Sequence, residues 1–275
     1  MPRAPGPDRS EHSFWRVLGA ALATLFIVGE LAIGGVWDFL RIPYAREVLT
    51  RLGYPIYVLL ILGALKVPAA VVLMVPRFGR LKEWAYAGAL ITYAASTLSH
   101  LAVRDETTSV VVPCAFAALT LVSWWLRSPA QRASAHSTAG GKRSVAYWAT
   151  TLALALACLA LAVLAVFELE PLSGIILRLG YPSYFMTILG IGYFGAGVAL
   201  LVPRSPRLKE WTYAGLVFTG LGAMASHLAT GDRVSTLLAP AALLALTVAS
   251  CVLRPPARRS VSADWSASQD VAFSS

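Results

Sequence analysis

Charged residues are scarce in this chain. They make up 13% of its 275 positions, where a soluble domain carries about 25%. So few ionisable side chains exclude a mainly water-facing surface. Cysteine is almost absent: Cys114, Cys158 and Cys251 stand singly inside apolar stretches, with no Cys-x-x-Cys spacing. That excludes a disulfide framework and a thiolate metal centre, and leaves the three as small packing residues. The four histidines show no His-x-x-x-His or His-Glu-x-x-His spacing, and no metal is expected. A phosphate-binding loop, a dinucleotide turn, a nucleophile elbow and a haem-attachment motif are all missing. No polar stretch is long enough to hold a soluble catalytic core. The chain is therefore not expected to be an enzyme on its own, and any redox chemistry would need a lipid-soluble cofactor or a partner subunit.

What is present is apolar: 57% of the residues are hydrophobic and the mean hydropathy is +0.66. Runs of about 17–25 such residues are long enough to span a bilayer. Eight are found, at Phe14–Leu40, Tyr54–Pro76, Trp84–Val103, Val110–Leu126, Tyr147–Phe167, Tyr181–Pro203, Trp211–Ala229 and Val234–Leu253. They are predicted to be helices, because an isolated strand leaves its backbone polar groups unsatisfied in lipid. A barrel would need alternating polar residues, and these runs are continuous. The first run exceeds the apolar core of a cleaved signal peptide and contains Glu30, so it is expected to be retained.

The net charge of +9 is a topology signal rather than a nucleic-acid signal. With both termini on one side, that side collects sixteen Lys and Arg against six on the other. The positive-inside rule then places both termini in the cytoplasm. Trp15, Trp84, Trp124, Trp125, Trp148 and Trp211 fall at the cytoplasmic ends of the runs, and Tyr54, Tyr57, Tyr181 and Tyr184 near the outer ends, as in an interfacial aromatic belt.

The chain also repeats itself. RLGYP at 51–55 recurs at 178–182, RLKEWAYAG at 80–88 recurs as RLKEWTYAG at 207–215, and SHLA at 99–102 recurs at 226–229. All share an offset of 127, which also relates Asp105 to Asp232 and Pro113 to Pro240. A fixed offset of this kind is a duplication. Each copy holds four runs, so both copies enter the membrane in the same direction, related by an axis along its normal. The expected organisation is an all-α polytopic bundle of eight transmembrane helices in two parallel four-helix repeats. Residues 1–13 form a cytoplasmic tail, 14–127 the first repeat, 128–144 a cytoplasmic linker, 145–253 the second repeat, and 254–275 a disordered cytoplasmic tail. Around Trp37-Asp38 and Glu168–Glu170 the copies are expected to differ by about three residues in length. The Ala-, Leu- and Arg-rich composition points to a bacterial cytoplasmic membrane.

LGYP opening a helix, a short Pro-Arg turn, RLKEWAYAG, and SHL followed by Asp together resemble the DoxX-like family of four-helix membrane proteins. The pattern covers Leu52–Asp105 and again Leu179–Asp232. Ordinary members resemble one repeat, so this chain is similar to two fused copies. The family takes its name from a subunit associated with a thiosulfate:quinone oxidoreductase. The resemblance therefore implies a fold, a membrane location and, through that name, a quinone-linked role.

Ionisable groups inside a membrane are costly and are functional candidates by default. His100 and His227 stand at matched positions near the outer ends of two runs, with Asp105 and Asp232 five residues on. A His–carboxylate pair can pass a proton or hydrogen-bond a quinone carbonyl; alternatively it anchors a helix end. With Tyr54 and Tyr181 these residues form one candidate ligand or proton site. Lys66 lies mid-run beside Pro68, and Glu30 in the preceding run is placed to pair with it, since an isolated buried charge would be prohibitive. The second copy has Tyr193 and Gly195 at the Lys66 and Pro68 positions, so this candidate intramembrane ion pair is not symmetric. Lys82-Glu83 and Lys209-Glu210 open helices at the headgroups, where a glutamate suits the helix dipole. Three functions are compatible with this inventory: a quinone- or redox-associated membrane component, a small-solute transporter, and an assembly protein without a small ligand. The lipid bilayer is the one partner expected in every case; no nucleic acid is.

Overall fold

The computed structural model describes residues 9–75, 78–127, 141–203 and 205–254. The expected N-terminal tail up to residue 8, linker residues 128–140 and tail residues 255–275 lie outside the described residues. The described residues are helical or in turns, with no strand among them.

The first half runs α1 (Arg9–Leu40), α2 (Pro43–Arg51), α3 (Val58–Met74), α4 (Gly79–Ala102) and α5 (Thr107–Leu126). The second runs α6 (Gly141–Val166), α7 (Leu172–Arg178), α8 (Phe185–Leu201) and α9 (Pro206–Ala229). A 3₁₀ turn at Val234–Leu237 then leads into α10 (Leu238–Leu253). Among the described residues, four stretches are long and apolar enough to cross a membrane: Val17–Leu40, Thr107–Leu126, Val145–Val166 and Val234–Leu253. The helices α3 and α8 are apolar but shorter, 17 residues each, or about 26 Å of rise. The helices α4 and α9 have 24 residues each but carry charges and hydroxyls, because they face protein rather than lipid. The short helices α2 and α7 occupy what the sequence reading left as connecting segments.

In each half the long helices pack into a bundle, α1 on α3 and α5 and α4 on α5, and likewise α6 on α8 and α10 and α9 on α10. The two bundles meet along α4 and α9. The offset of 127 persists through the structure without a gap. Thr24 matches Thr151, each bonding the serine at the equivalent position of the last helix: Thr24 to Ser123 at 2.7 Å and Thr151 to Ser250 at 2.8 Å. Arg41 and Glu168 match as well, both with positive φ after the first helix. The expected three-residue length difference therefore does not exist. The outer loops differ in composition alone, so local dissimilarity looked like an insertion.

The distribution of polarity is inside out. Thr120, Ser123, Thr151, Thr247 and Ser250 are fully buried, while Phe26, Ile33, Phe39, Val111, Val112 and Trp125 are exposed. Lipid-facing helices show this arrangement, with hydroxyls bonding between helices at about 0.6 kcal/mol each. Tyr86 joins Ser123 at 2.9 Å and Tyr213 joins Ser250 at 2.9 Å, tying the first, third and last long helices of each bundle together. Close approach depends on glycine: a Cβ at Gly63 would stand 2.7 Å from the Gly35 carbonyl, and one at Gly190 would stand 2.6 Å from Val166. Gly197 also packs on α6, whereas Gly192 and Gly195 of the same glycine-rich run face open space.

Candidate functional site

The duplicated motifs are the joints between the halves. In RLGYP, Gly53 and Gly180 take positive φ, 78° and 83°, and end α2 and α7. The Tyr54 N–H reaches the Leu49 carbonyl and the Tyr181 N–H the Ile176 carbonyl, the six-to-one bond of a glycine-terminated helix. Each proline then lies in a turn three residues ahead of the next helix, not in its first turn as the sequence suggested. The two turns interlock. Tyr57 donates to the Leu179 carbonyl at 2.7 Å, and Tyr184 donates to the Leu52 carbonyl at 2.6 Å. The rings of Tyr54 and Tyr181 meet edge to face, 5.9 Å apart.

The opposite end is joined reciprocally through RLKEW. Glu83 accepts from Trp124 at 2.7 Å and Arg127 at 3.2 Å within its own half, and from Trp211 of the other at 3.1 Å. Glu210 accepts from Arg254 at 3.1 Å in its own half, and from Trp84 at 2.8 Å and Arg80 at 2.5 Å across the joint. Both glutamates are buried. The expected helix-dipole role misses this, because the indole and guanidinium partners come from distant segments.

Between the joints lies a cavity of about 1850 Å³ lined by both halves. A small-molecule pocket is usually about 300–1,000 Å³. The lining is mostly apolar, with its acidic, basic and histidine side chains in two places.

The first place is at the RLGYP end. His100 Nδ1 lies 2.9 Å from Asp105 Oδ2, and His227 Nδ1 lies 2.7 Å from Asp232 Oδ2. This pairing is built locally. The Asp105 and Asp232 N–H groups donate to the His100 and His227 carbonyls as α4 and α9 end, so each carboxylate folds back onto the imidazole five residues earlier. Arg51 and Arg178, from the RLGYP motifs, add ion pairs to Asp105 at 3.4 Å and Asp232 at 3.5 Å. The Glu106 N–H and His100 hold Asp105 below the usual carboxylate range, and His227 with Arg178 does the same for Asp232. An ionised carboxylate fixes the imidazole with its proton on Nδ1. Both histidines are buried, at 7% and 5% exposure, and both line the cavity. Tyr54 and Tyr181 stand alongside without bonding the histidines; their hydroxyls meet Ser99 and Ser226, each at 2.8 Å.

The second place exists in the first half only. Lys66 Nζ lies 3.1 Å from Glu30 Oε1 and 3.1 Å from Asp38 Oδ2. Tyr93 donates to the other Glu30 oxygen. Asp38, near the end of the first apolar run and not among the candidate site residues, is inside α1 and buried. Its spacing carried a signal: Glu30, Gly34 and Asp38 follow at intervals of four, one face of a helix. Gly34 leaves the room, since a Cβ there would stand 2.8 Å from Glu30 Oε1. Tyr93 was not singled out from sequence. Among the described residues no three His, Cys, Asp or Glu side chains converge as a metal site.

Comparison with curated proteins and with solved structures gives no match. The model of the DoxX-like family matches twice, at residues 14–123 and 149–250. Together with the apolar helices, this makes an integral membrane protein. The two matched segments end on Ser123 and Ser250, the serines that close equivalent bundles, and the chain belongs to the DoxX-like family, as two copies of the family unit in tandem.

Proposed function

We propose that this protein is a quinone-associated component of a bacterial cytoplasmic membrane, with eight spans in two parallel repeats and both termini in the cytoplasm. The short helices α3 and α8 and the polar helices α4 and α9 complete the eight, held among the four long apolar helices. The charge asymmetry of the loops supports the orientation. The ligand is a lipid-soluble isoprenoid quinone in the inter-repeat cavity. The observation that carries this reading is the pair of aspartate-oriented histidines on the wall of a large apolar cavity. An imidazole fixed by a carboxylate at Nδ1 leaves Nε2 to meet a ligand oxygen, and a protonated imidazole there donates to a quinone carbonyl.

Mass spectrometry of an organic extract from protein purified in mild detergent tests it. Near-stoichiometric quinone in the wild type, lost in a folded His100→Ala/His227→Ala variant, is the expected result. Quinone at the level of bulk co-purifying lipid in both samples would overturn the reading. A second reading, transport of a small solute, is favoured by the Glu30–Asp38–Lys66 cluster lining the same cavity. Solute uptake into vesicles that is lost in Lys66→Met but kept in the double histidine variant would favour it.

A further inference from the structure

The two halves provide an internal control for the charged cluster. Glu30, Gly34, Asp38, Lys66 and Tyr93 correspond at the offset of 127 to Ala157, Leu161, Ala165, Tyr193 and Gly220. The same bundle therefore forms with none of these charges. Packing does not require them, and their burial costs free energy that apolar residues would not.

The charges also fail to balance. Two carboxylates face one ammonium, an excess of one negative charge. Among the described residues, the charges that act on Asp38 are Lys66 and Glu30; Arg41 follows α1 and Arg46 lies on α2, and neither pairs with a carboxylate of the cluster. On α1 the ionisable neighbours are Glu30 and Asp38 themselves, on α3 Lys66, and on α4 Tyr93, which is neutral and donates to Glu30. The helix α5 contributes Phe116, stacked on Tyr93 at 5.4 Å. The charged groups of α4 lie at its ends, Arg80 paired with Glu210, Glu83 with Arg127 and His100 with Asp105, with Lys82 in the first turn. Arg51 of α2 pairs with Glu47 and Asp105. Asp38, 8% exposed, has an Oδ2 shielded from solvent and 3.1 Å from the Lys66 ammonium. One proton on either carboxylate would balance the charge of the cluster.

We propose that Glu30, Asp38 and Lys66 form a proton-binding site in which the two carboxylates hold one exchangeable proton against a fixed ammonium. One proton from water adds to one carboxylate oxygen, giving a carboxylic acid beside a carboxylate–ammonium pair, and leaves by the same route. The cluster lines the cavity, so a cavity occupant and the proton compete for or share the same charge. The second repeat has no such site and serves as its scaffold partner.

Infrared difference spectroscopy of the purified full chain, titrated in detergent without added ligand, tests this independently of any quinone. The expected result is one protonated carboxyl band, shifted in heavy water, that titrates as a single proton. Asp38→Asn and Glu30→Gln each balance the remaining carboxylate against Lys66, so each abolishes the band. Lys66→Met leaves two carboxylates without a cation and doubles it. The neutral triple variant Glu30→Gln/Asp38→Asn/Lys66→Met serves as the folding control and shows no band. A wild type without the band, or a band surviving in both single carboxylate variants, would overturn the proposal. So would a titration displaced by sodium at fixed pH, which would make the occupant a metal cation.

Discussion

The first repeat holds the buried Asp38 and the partly buried Glu30 and Lys66 where the second places two alanines and a tyrosine, yet both build the same bundle. The joints, in contrast, are nearly identical in the two. Tyr57 and Tyr184 exchange equivalent bonds, as do Trp84 and Trp211. Duplication thus preserved what holds the copies together and let one interior diverge. An isologous contact explains why the joints resist change, since each motif is both donor and acceptor of the same interaction. An interior position answers only to its own bundle.

The largest test of this contrast is at Lys66. Lys66→Met strands Glu30 and Asp38 and should cost about 3–5 kcal/mol, the usual effect of breaking a buried ion pair. Tyr193→Phe at the matching position should change stability by under about 1 kcal/mol. Unfolding in mixed detergent micelles measures both, and equal losses would break the contrast. The neutral triple variant should recover most of the Lys66→Met loss.

The RLKEW joint should be less even than its sequence. Glu83→Gln weakens contacts to two indoles, Trp124 and Trp211, and to the buried Arg127, whereas Glu210→Gln weakens one indole contact, to Trp84, and those to Arg254 and the half-exposed Arg80. Losses of about 3 kcal/mol for Glu83→Gln and about 1–2 kcal/mol for Glu210→Gln are expected, read by the same unfolding assay. At the other joint, Tyr57→Phe and Tyr184→Phe each remove one hydrogen bond and should cost about 1 kcal/mol apiece. Their near-equality is the prediction; a twofold difference would mean that the joint is not symmetric.

The smallest effect concerns acid. Asp105 and Asp232 have carboxyls held below the ordinary value of 3.8 in the folded protein. Their contribution to stability is fully present above that ordinary value and is lost as pH falls toward the depressed folded value. Thermal midpoints should therefore decline in acid, and the Asp105→Asn/Asp232→Asn variant should show a flatter acid limb. Because both aspartates cap equivalent helix ends, the two single variants should flatten it similarly.

Much of this was legible in the residues. The duplication, the family and the His–Asp pairing are carried by short-range signals: identical strings at one offset, and a five-residue spacing that a helix end closes on itself. Glu30 and Lys66 stood out because charge is rare in apolar runs. Asp38 escaped because it lies near the end of α1, where a charge looks solvated, and only the packing of α3 against α1 buries it. Tyr93 escaped because a tyrosine in a helix gives no sign of its partner. The roles of RLGYP and RLKEW escaped for the same reason: the carbonyls, indoles and guanidiniums that complete them lie more than a hundred residues away in sequence. The sequence by itself determined the helices, the repeat and the local His–Asp caps, since each depends on residues within a few turns or on exact recurrence. Tertiary structure alone decided that the repeated motifs join the halves, that a cavity opens between them, and that a third charge enters the Lys66 cluster. Those outcomes depend on which helix faces meet, and a linear pattern does not encode that meeting.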